Sequence, residues 1–219
     1  MRSRFLSFLS LNWLLGFSLI VTALVALPAS AKLINPSTQT IVVLGDSLSA
    51  GYGIPQNQGW VSLLQTRISQ QKLHYQVVNV SISGETTSGG LARFSEMLTT
   101  YKPSIVILEL GANDGLRGLP VSDMRSNLNN MILQAKATKT KLLLVGMKIP
   151  PNYGQKYSRD FSASYTIMTK QHKIKLVPFL LDGVAGKPSL IQEDGLHPIA
   201  AAQPQLLNNV WPQLKGLLR

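Results

Sequence analysis

The chain has 219 residues, enough for one domain with a full apolar core. Hydrophobic residues make up 45% and charged residues 14%, a composition that excludes an intrinsically disordered protein. Cysteine is absent, which excludes disulfides, thiolate metal sites and a cysteine nucleophile. The formal net charge is +11, but the basic residues are scattered along the chain and do not alternate with aromatics, so we expect no nucleic-acid partner. The charge favours weak association with an anionic membrane or cell-wall surface, or serves solubility alone.

The first 31 residues have the pattern of an export signal. Two arginines lie within the first four residues, an apolar run covers 14–27, and the small residues Ala29, Ser30 and Ala31 follow. This pattern predicts cleavage near Ala31, a periplasmic or secreted location, and a single mature domain over residues 32–219. The alternative is an N-terminal membrane anchor, because residues 5–27 are nearly long enough to span a bilayer.

Strand and helix patterns alternate along the rest of the chain. Short apolar runs rich in β-branched residues predict strands at 40–44, 75–80, 104–110, 141–145 and 175–179. Amphipathic segments predict helices at about 60–70, 91–101, 123–137, 161–172 and 199–217. Pro204 and Pro212 are expected to bend or break the last of them. This alternation predicts an α/β fold, a three-layer α/β/α sandwich with a five-stranded parallel sheet.

Polar, glycine-bearing segments follow four of the five predicted strands. They contain Ser47 after the first strand, Gly84 after the second, Asn113 after the third, and Asp194 with His197 after the fifth. Ligands of open parallel sheets bind outside the carboxyl ends of the strands, so we expect these segments to converge on one edge.

Serine, histidine and aspartate are together the side chains of a serine hydrolase. A serine hydroxyl attacks an acyl carbonyl only when an imidazole takes its proton and a third group orients that imidazole. Asp194 lies three residues before His197, so one loop can carry both. Backbone amides of Ser47 and Gly84 and the side-chain amide of Asn113 are candidate donors to the oxyanion that acyl transfer creates.

Each residue also has an ordinary structural explanation. Ser47 could cap a helix, and Gly84, Asn113 and Asp194 could be turn residues. The chain's other two histidines, at positions 74 and 172, lie among polar neighbours and are predicted to be exposed.

The four segments read GDSLSAGYG, SISGETTSGGLAR, ELGANDGLRG and DGLHP. They do not contain the G-x-S-x-G nucleophile elbow. Their order and content resemble the SGNH, or GDSL, hydrolase superfamily, which has a flavodoxin-like α/β fold. The segments VSISG, LARF, PPNYG and HPIAAAQP further resemble a Gram-negative group of periplasmic multifunctional acyl-CoA thioesterases, lysophospholipases and arylesterases.

The resemblance implies a role for each matching residue. Ser47 would be the nucleophile, His197 the base and Asp194 its partner, with Ser47, Gly84 and Asn113 forming the oxyanion hole. It implies no metal and no organic cofactor, and small-molecule acyl esters or thioesters as substrates. Glu85 departs from relatives that have aspartate there.

Substrate contacts are less determined by the sequence. Apolar residues near the predicted site are candidates for an acyl groove, namely Leu48, Tyr52, Ile54, Ile149 and Tyr153. Residues 115–120 contain two glycines and could form a mobile flap over it. A carbohydrate or peptidoglycan O-acetylesterase is the alternative enzyme, and a cell-wall or lipid-binding module is the non-enzymatic alternative. We expect a monomer.

Overall fold

The computed structural model describes residues 38–218. The predicted signal segment over residues 1–31, its cleavage near Ala31 and the alternative of a membrane anchor lie outside the described residues. Between residues 38 and 218, no helix is long and apolar enough to cross a membrane.

A five-stranded parallel sheet forms the core, in the order β2-β1-β3-β4-β5. The strands are β1 (Gln39–Gly45), β2 (Tyr75–Asn79), β3 (Ile105–Glu109), β4 (Lys141–Val145) and β5 (Lys175–Val177). β3 is buried along its whole length, as expected for an apolar strand covered on both faces. This strand order is that of flavodoxin-like folds, and it confirms the predicted sheet.

Helices cover both faces of this sheet. They are α1 (Ser47–Ala50), α2 (Trp60–Gln70), α3 (Thr87–Tyr101), α4 (Ala112–Leu116), α5 (Val121–Ala137), α6 (Gln155–His172) and α7 (Gln203–Lys215). α5 packs between α3 and α6, and α2 packs against α7. The three-layer α/β/α sandwich predicted from the sequence is therefore confirmed.

Several helix bounds differ from the prediction. α3 begins at Thr87 rather than at 91, and it includes Gly90, where a Cβ atom would lie 2.3 Å from Cδ1 of Leu110. The glycine that weakens the helical pattern is thus what allows α3 to approach the sheet. α7 begins at Gln203 rather than at 199, which places Pro204 in its first turn, where the missing N–H is not needed. Pro212 lies inside α7 without ending it.

The prediction that His172 is exposed is wrong. His172 is buried at the end of α6, and its Nε2 lies 2.8 Å from Oδ1 of Asn129. Burial, together with the nearby Lys136 ammonium, lowers the pKa of this imidazole. His74 is exposed, as predicted. Sequence neighbours are polar in both cases, so only the packing of α6 against α5 distinguishes them.

Candidate active site

The polar segments meet at the carboxyl edge of the sheet. Ser47 is the first residue of α1, directly beyond β1, and Asn113 lies in α4, directly beyond β3. Gly84 lies in the loop between β2 and α3, and its positive φ of 79° is a conformation that favours glycine.

Ser47, His197 and Asp194 form a continuous hydrogen-bonded array. Nε2 of His197 lies 2.7 Å from Oγ of Ser47, and Nδ1 lies 2.6 Å from Oδ2 of Asp194. When Nδ1–H donates a hydrogen bond to Asp194, the unprotonated Nε2 can accept a hydrogen bond from the Ser47 hydroxyl. The Tyr52 ring packs beside the imidazole, with 4.5 Å between ring centroids.

Asp194 is held ionised by donors from its own loop. Its Oδ1 accepts the backbone N–H groups of His197, at 3.0 Å, and Leu196, at 2.9 Å. These two bonds, followed by the bond from the imidazole, lower the pKa of Asp194 to about 2. A carboxylate with so low a pKa can stabilise an imidazolium without taking its proton.

The loop that carries His197 is closed by its own backbone. The N–H of Gln192 donates to the carbonyl of His197 at 2.7 Å, and Ile191 pairs with Pro198 in an antiparallel bridge. Nε2 of Gln192 also donates to the carbonyl of Tyr52 at 2.8 Å. This side chain ties the base loop to the segment that follows the candidate nucleophile.

The three candidate oxyanion donors differ in their present partners. Within residues 38–218, the backbone N–H groups of Ser47 and Gly84 donate to no protein atom. Nδ2 of Asn113 donates to the carbonyl of Glu85 at 3.0 Å and to Oδ2 of Asp46 at the longer distance of 3.3 Å.

A pair of buried carboxylates lies beneath Ser47. Oδ1 of Asp46 accepts the N–H of Leu48 at 3.0 Å, which caps α1. Oε2 of Glu109 accepts the hydroxyl of Ser49 at 2.6 Å. Burial raises the pKa of Asp46 to about 6. Burial also raises the pKa of Glu109 well above its usual value, and repulsion from the Asp46 carboxylate adds to that shift.

The helix that carries Asn113 is anchored by its neighbour Asp114. This buried carboxylate accepts the hydroxyl of Thr87 at 2.5 Å and the N–H of Thr87 at 2.8 Å. Thr87 begins α3, so these two bonds fix α4 to the start of α3 and set the position of the Asn113 side chain.

Comparison with known proteins identifies the family of this chain. The sequence model of the GDSL-like lipase/acylhydrolase family matches residues 43–203. The chain belongs to this family. It is therefore a hydrolase, and the resemblance of its four segments to the SGNH/GDSL superfamily is confirmed.

Two relatives of this GDSL hydrolase are similar over most of its length. Esterase TesA of Pseudomonas aeruginosa is 50% identical over 182 residues, which is 83% of this chain and 90% of that protein. Thioesterase 1/protease 1/lysophospholipase L1 of Escherichia coli K12 is 38% identical over 182 residues, 83% of this chain and 86% of that protein.

The fold is also shared with a solved relative. The crystal structure of TesA superposes with a TM-score of 0.80 at 50% identity and covers 82% of this chain and 100% of that chain.

An apolar cavity of about 630 Å³ opens beside Ser47 in this GDSL hydrolase. Of the predicted groove residues, Leu48, Tyr52 and Ile149 line it, whereas Ile54 and Tyr153 do not. Further apolar residues that the sequence reasoning missed also line it, namely Leu116, Met147, Phe179, Leu181, Ala185, Ile191 and Leu196. Most of them follow β4 or β5 or lie in the base loop, where no local pattern indicates a cavity.

The segment predicted as a flap is tied to the domain at several points. Gly115 lies within α4, and the hydroxyl of Tyr153 donates to the carbonyl of Leu116 at 3.0 Å. Nη2 of Arg117 donates to the carbonyl of Gly84 at 2.9 Å. These contacts restrain residues 115–120. Of the two glycines in this segment, Gly115 is held in α4, and Gly118, with a positive φ of 64°, is the one left outside a helix.

No group of three or more histidine or acidic side chains in the described part of the chain is arranged to hold a metal ion. The side chains gathered at Ser47 are a hydroxyl, an imidazole, a carboxylate and the neutral amide of Asn113.

Replacing Gly115 with alanine should destabilise the protein. A Cβ atom there would lie 2.6 Å from Cγ2 of Ile149 and 2.7 Å from Cε2 of Phe161, and such overpacking costs about 1–3 kcal/mol. Urea unfolding tests this, and a Gly115→Ala protein as stable as wild type would contradict the packing. Gly118→Ala is a comparison in which no atom lies within 4 Å, so only the left-handed backbone opposes the change, at a cost of about 1–2 kcal/mol.

The contribution of Asp46 to stability should decrease between about pH 5 and about pH 8. Burial raises the pKa of Asp46 from 3.8 to about 6 in the folded protein. A carboxyl group with a raised pKa stabilises the fold fully below its pKa in the unfolded chain, and this stabilisation is lost as the pH rises through its pKa in the folded protein. Over that interval this group should lower the free energy of unfolding by about 1 kcal/mol. Urea unfolding at both pH values should show a weaker dependence for Asp46→Asn than for wild type. An identical dependence would contradict the raised pKa.

Proposed function

We propose that Ser47 is the nucleophile of this hydrolase, with His197 as general base and Asp194 as the group that orients the imidazole. The observation that carries the proposal is the pair of consecutive hydrogen bonds, 2.7 Å from Ser47 to His197 and 2.6 Å from His197 to Asp194. Both are within the reach that proton transfer requires.

Acylation would begin with attack of Ser47 Oγ on the carbonyl carbon of an ester or thioester. Nε2 of His197 would take the hydroxyl proton as the bond forms, and the ionised Asp194 would stabilise the resulting imidazolium. The same Nε2–H would then protonate the leaving oxygen or sulfur as the tetrahedral intermediate collapses. The product of this half-reaction is an acyl ester on Ser47.

The negative charge of the intermediate would be met by neutral donors. The N–H groups of Ser47 and Gly84 have no protein partner within residues 38–218 and are available to it. Asn113 would keep its 3.0 Å bond to the Glu85 carbonyl and exchange the longer contact with Asp46 for the oxyanion. Donors aimed at the position where charge develops stabilise the transition state more than the ground state.

Deacylation would repeat these steps with water. His197 would take a proton from a water molecule, the hydroxide equivalent would attack the acyl carbon, and the proton would return to Ser47 as the carboxylic acid leaves. No additional protein group is needed, because every proton moves through Nε2 of His197.

We propose acyl esters and thioesters with medium or long acyl chains as substrates. The cavity volume of about 630 Å³ lies within the range of about 300–1,000 Å³ that is usual for ligand pockets, and its wall is mainly apolar. Leu48, Tyr52 and Ile149 would contact the chain. The names of the relatives, esterase and thioesterase/lysophospholipase, support this class of substrate. An O-acetylesterase has no use for so large an apolar wall.

We also propose that the protein acts outside the cytoplasm, in the periplasm or secreted, after removal of the first 31 residues. The sequence pattern of those residues supports export. All the residues of the site come from one chain, which supports a monomer. The net charge of +11, which becomes +9 when Arg2 and Arg4 leave with the first 31 residues, supports weak association with an anionic surface.

Ser47→Ala should reduce hydrolysis of p-nitrophenyl esters to the background, a loss on the order of 10⁶-fold if the three residues act as a unit. The removed hydroxyl is the group that forms the acyl bond. Steady-state rates with esters from acetate to palmitate, measured on purified variant and wild type, test this. Wild-type turnover by Ser47→Ala would end the proposal.

Asn113→Ala should lower kcat by about 10²–10³-fold, because one oxyanion donor is lost. The control is Asn208→Ala, which removes a surface amide that binds Arg67 far from the cavity. The thermal midpoint of each variant, measured in parallel, separates lost catalysis from lost folding. An unchanged kcat would remove Asn113 from the oxyanion hole.

Ala185→Phe should lower the ratio of kcat/KM for octanoate to that for acetate, because a larger side chain would occupy the cavity that Ala185 lines. Each buried methylene that the pocket can no longer accept costs about 0.8 kcal/mol. Ala137→Phe, at the end of α5 on the other edge of the sheet, is the control. An unchanged ratio would place the acyl chain elsewhere, and wild-type activity confined to acetate would favour the O-acetylesterase.

A further inference from the structure

Four lysines lie at the edge of the sheet opposite the active site. Each lies in the connection from a helix to the next strand, one or two residues after the helix ends; they are Lys72 before β2, Lys102 before β3, Lys139 before β4 and Lys173 before β5. All four are exposed. We call this set the basic edge.

Backbone hydrogen bonds bring these turns into one row. The N–H of Gln39 donates to the carbonyl of His74, the N–H of Ser104 to Thr40, and the N–H of Lys141 to Ser104, at 2.9–3.0 Å. Neighbouring strands are about 4.8 Å apart, so the row extends roughly 19 Å from β2 to β5. Cations that are scattered along the sequence are therefore gathered in space.

More cations than anions surround this row. Lys170, Lys175 and Lys215 are exposed near the same helix and strand ends, and the Nζ atoms of Lys136 and Lys141 reach carbonyls there. The carboxylates lie elsewhere. The chain has ten acidic side chains. Nine of them lie in the loops at the carboxyl edge, at the end of β3 or in the first two turns of a helix. The tenth, Glu96, lies in the second half of α3.

The backbone conformation of the four lysines is unfavourable for lysine. Their φ angles of 43–59° are left-handed, a region where helix ends usually have glycine. A lysine can interact favourably with the helix dipole without a left-handed backbone. Lys136 and Lys170 do so from within the last turn of α5 and α6, where the backbone is helical. Four strained lysines in one row thus indicate that the charge is used at this surface.

Two features favour a lipid surface as the partner. Tyr101, 38% exposed beside Lys102, is the kind of side chain that lies at a membrane–water interface. The charge is also one-sided, because nine of the ten carboxylates lie away from the basic edge, as a surface that docks on anionic lipid requires.

We propose that the basic edge is a docking surface for an anionic lipid bilayer, which the domain contacts with Lys72, Lys102, Lys139 and Lys173 while its active site faces away. The active site lies at the opposite ends of the helices, and α5, with 17 residues, is about 25 Å long. Docking therefore leaves the cavity open to substrates in solution.

The first test measures binding of the protein that starts at Lys32 to vesicles, by co-sedimentation. Phosphatidylcholine–phosphatidylglycerol vesicles should bind it, with an affinity that falls as salt is added, and pure phosphatidylcholine vesicles should not. Replacing the four lysines with glycine should weaken binding about fivefold for each lysine. The fold should survive, because glycine relieves the left-handed strain.

Two control variants separate the edge from the net charge. Lys→Arg at the same four positions should retain binding. Lys156→Gln, Arg159→Gln and Lys187→Gln, three exposed cations outside the basic edge, should have little effect. The proposal would be overturned if each charge removed by the glycine variant and each charge removed by the glutamine variant weakened vesicle binding equally. Tighter binding to duplex DNA than to the anionic vesicles at the same salt would also overturn it.

Orientation is tested with spin labels, since the chain has no cysteine of its own. A nitroxide at Gln71→Cys should become accessible to a lipid-soluble relaxation agent on binding, and one at Ile82→Cys, beyond the carboxyl end of β2, should not. The reverse pattern would overturn the proposed orientation. Hydrolysis of a soluble ester should be the same in the glycine variant as in wild type, so failure of docking and failure of the proposed catalysis are distinguishable.

Discussion

The position of Ser47, the proposed nucleophile, depends on close packing at the end of β1. A Cβ atom on Gly45 would lie 2.6 Å from Oε2 of Glu109 and 2.7 Å from Oγ of Ser49, so no larger residue fits there. Glu109 ends β3, and Ser49 lies in α1. The turn that presents Ser47 is thus packed directly on the neighbouring strand, and the rest of the array is built around that turn.

Much of this arrangement follows from rules that sequence alone can apply. Parallel strands with helical crossovers place successive loops at one edge, so the sequence is sufficient to predict that Ser47, Gly84, Asn113 and the base loop meet there. The apolar runs of β1 and β3 are clear in the sequence because both faces of these strands are covered. The two helical layers follow from the same topology, whereas the strand order is implied only by the family resemblance.

Other features depend on contacts between distant residues and leave no local pattern. Glu109 lies within an apolar strand, so the strand pattern alone does not indicate what it does. The feature that could draw attention to it is that it is the single acidic residue at the end of a fully buried strand. The start of α3 is missed because Gly90, which weakens the helical pattern, allows close packing. The cavity is only partly predictable, because Phe179 and Leu196 reach it from long loops whose course depends on tertiary contacts.

The closed base loop has a consequence for how the enzyme would lose activity. Two of the three residues of the array lie between Ile191 and Pro198, and Gln192 is the side chain that joins this loop to Tyr52. If this loop detached from the rest of the domain, the proposed base His197 and its partner Asp194 would leave the site together while the five-stranded sheet stayed intact. Heat inactivation and global unfolding are then separate events, and the first is governed by a few surface hydrogen bonds rather than by the core.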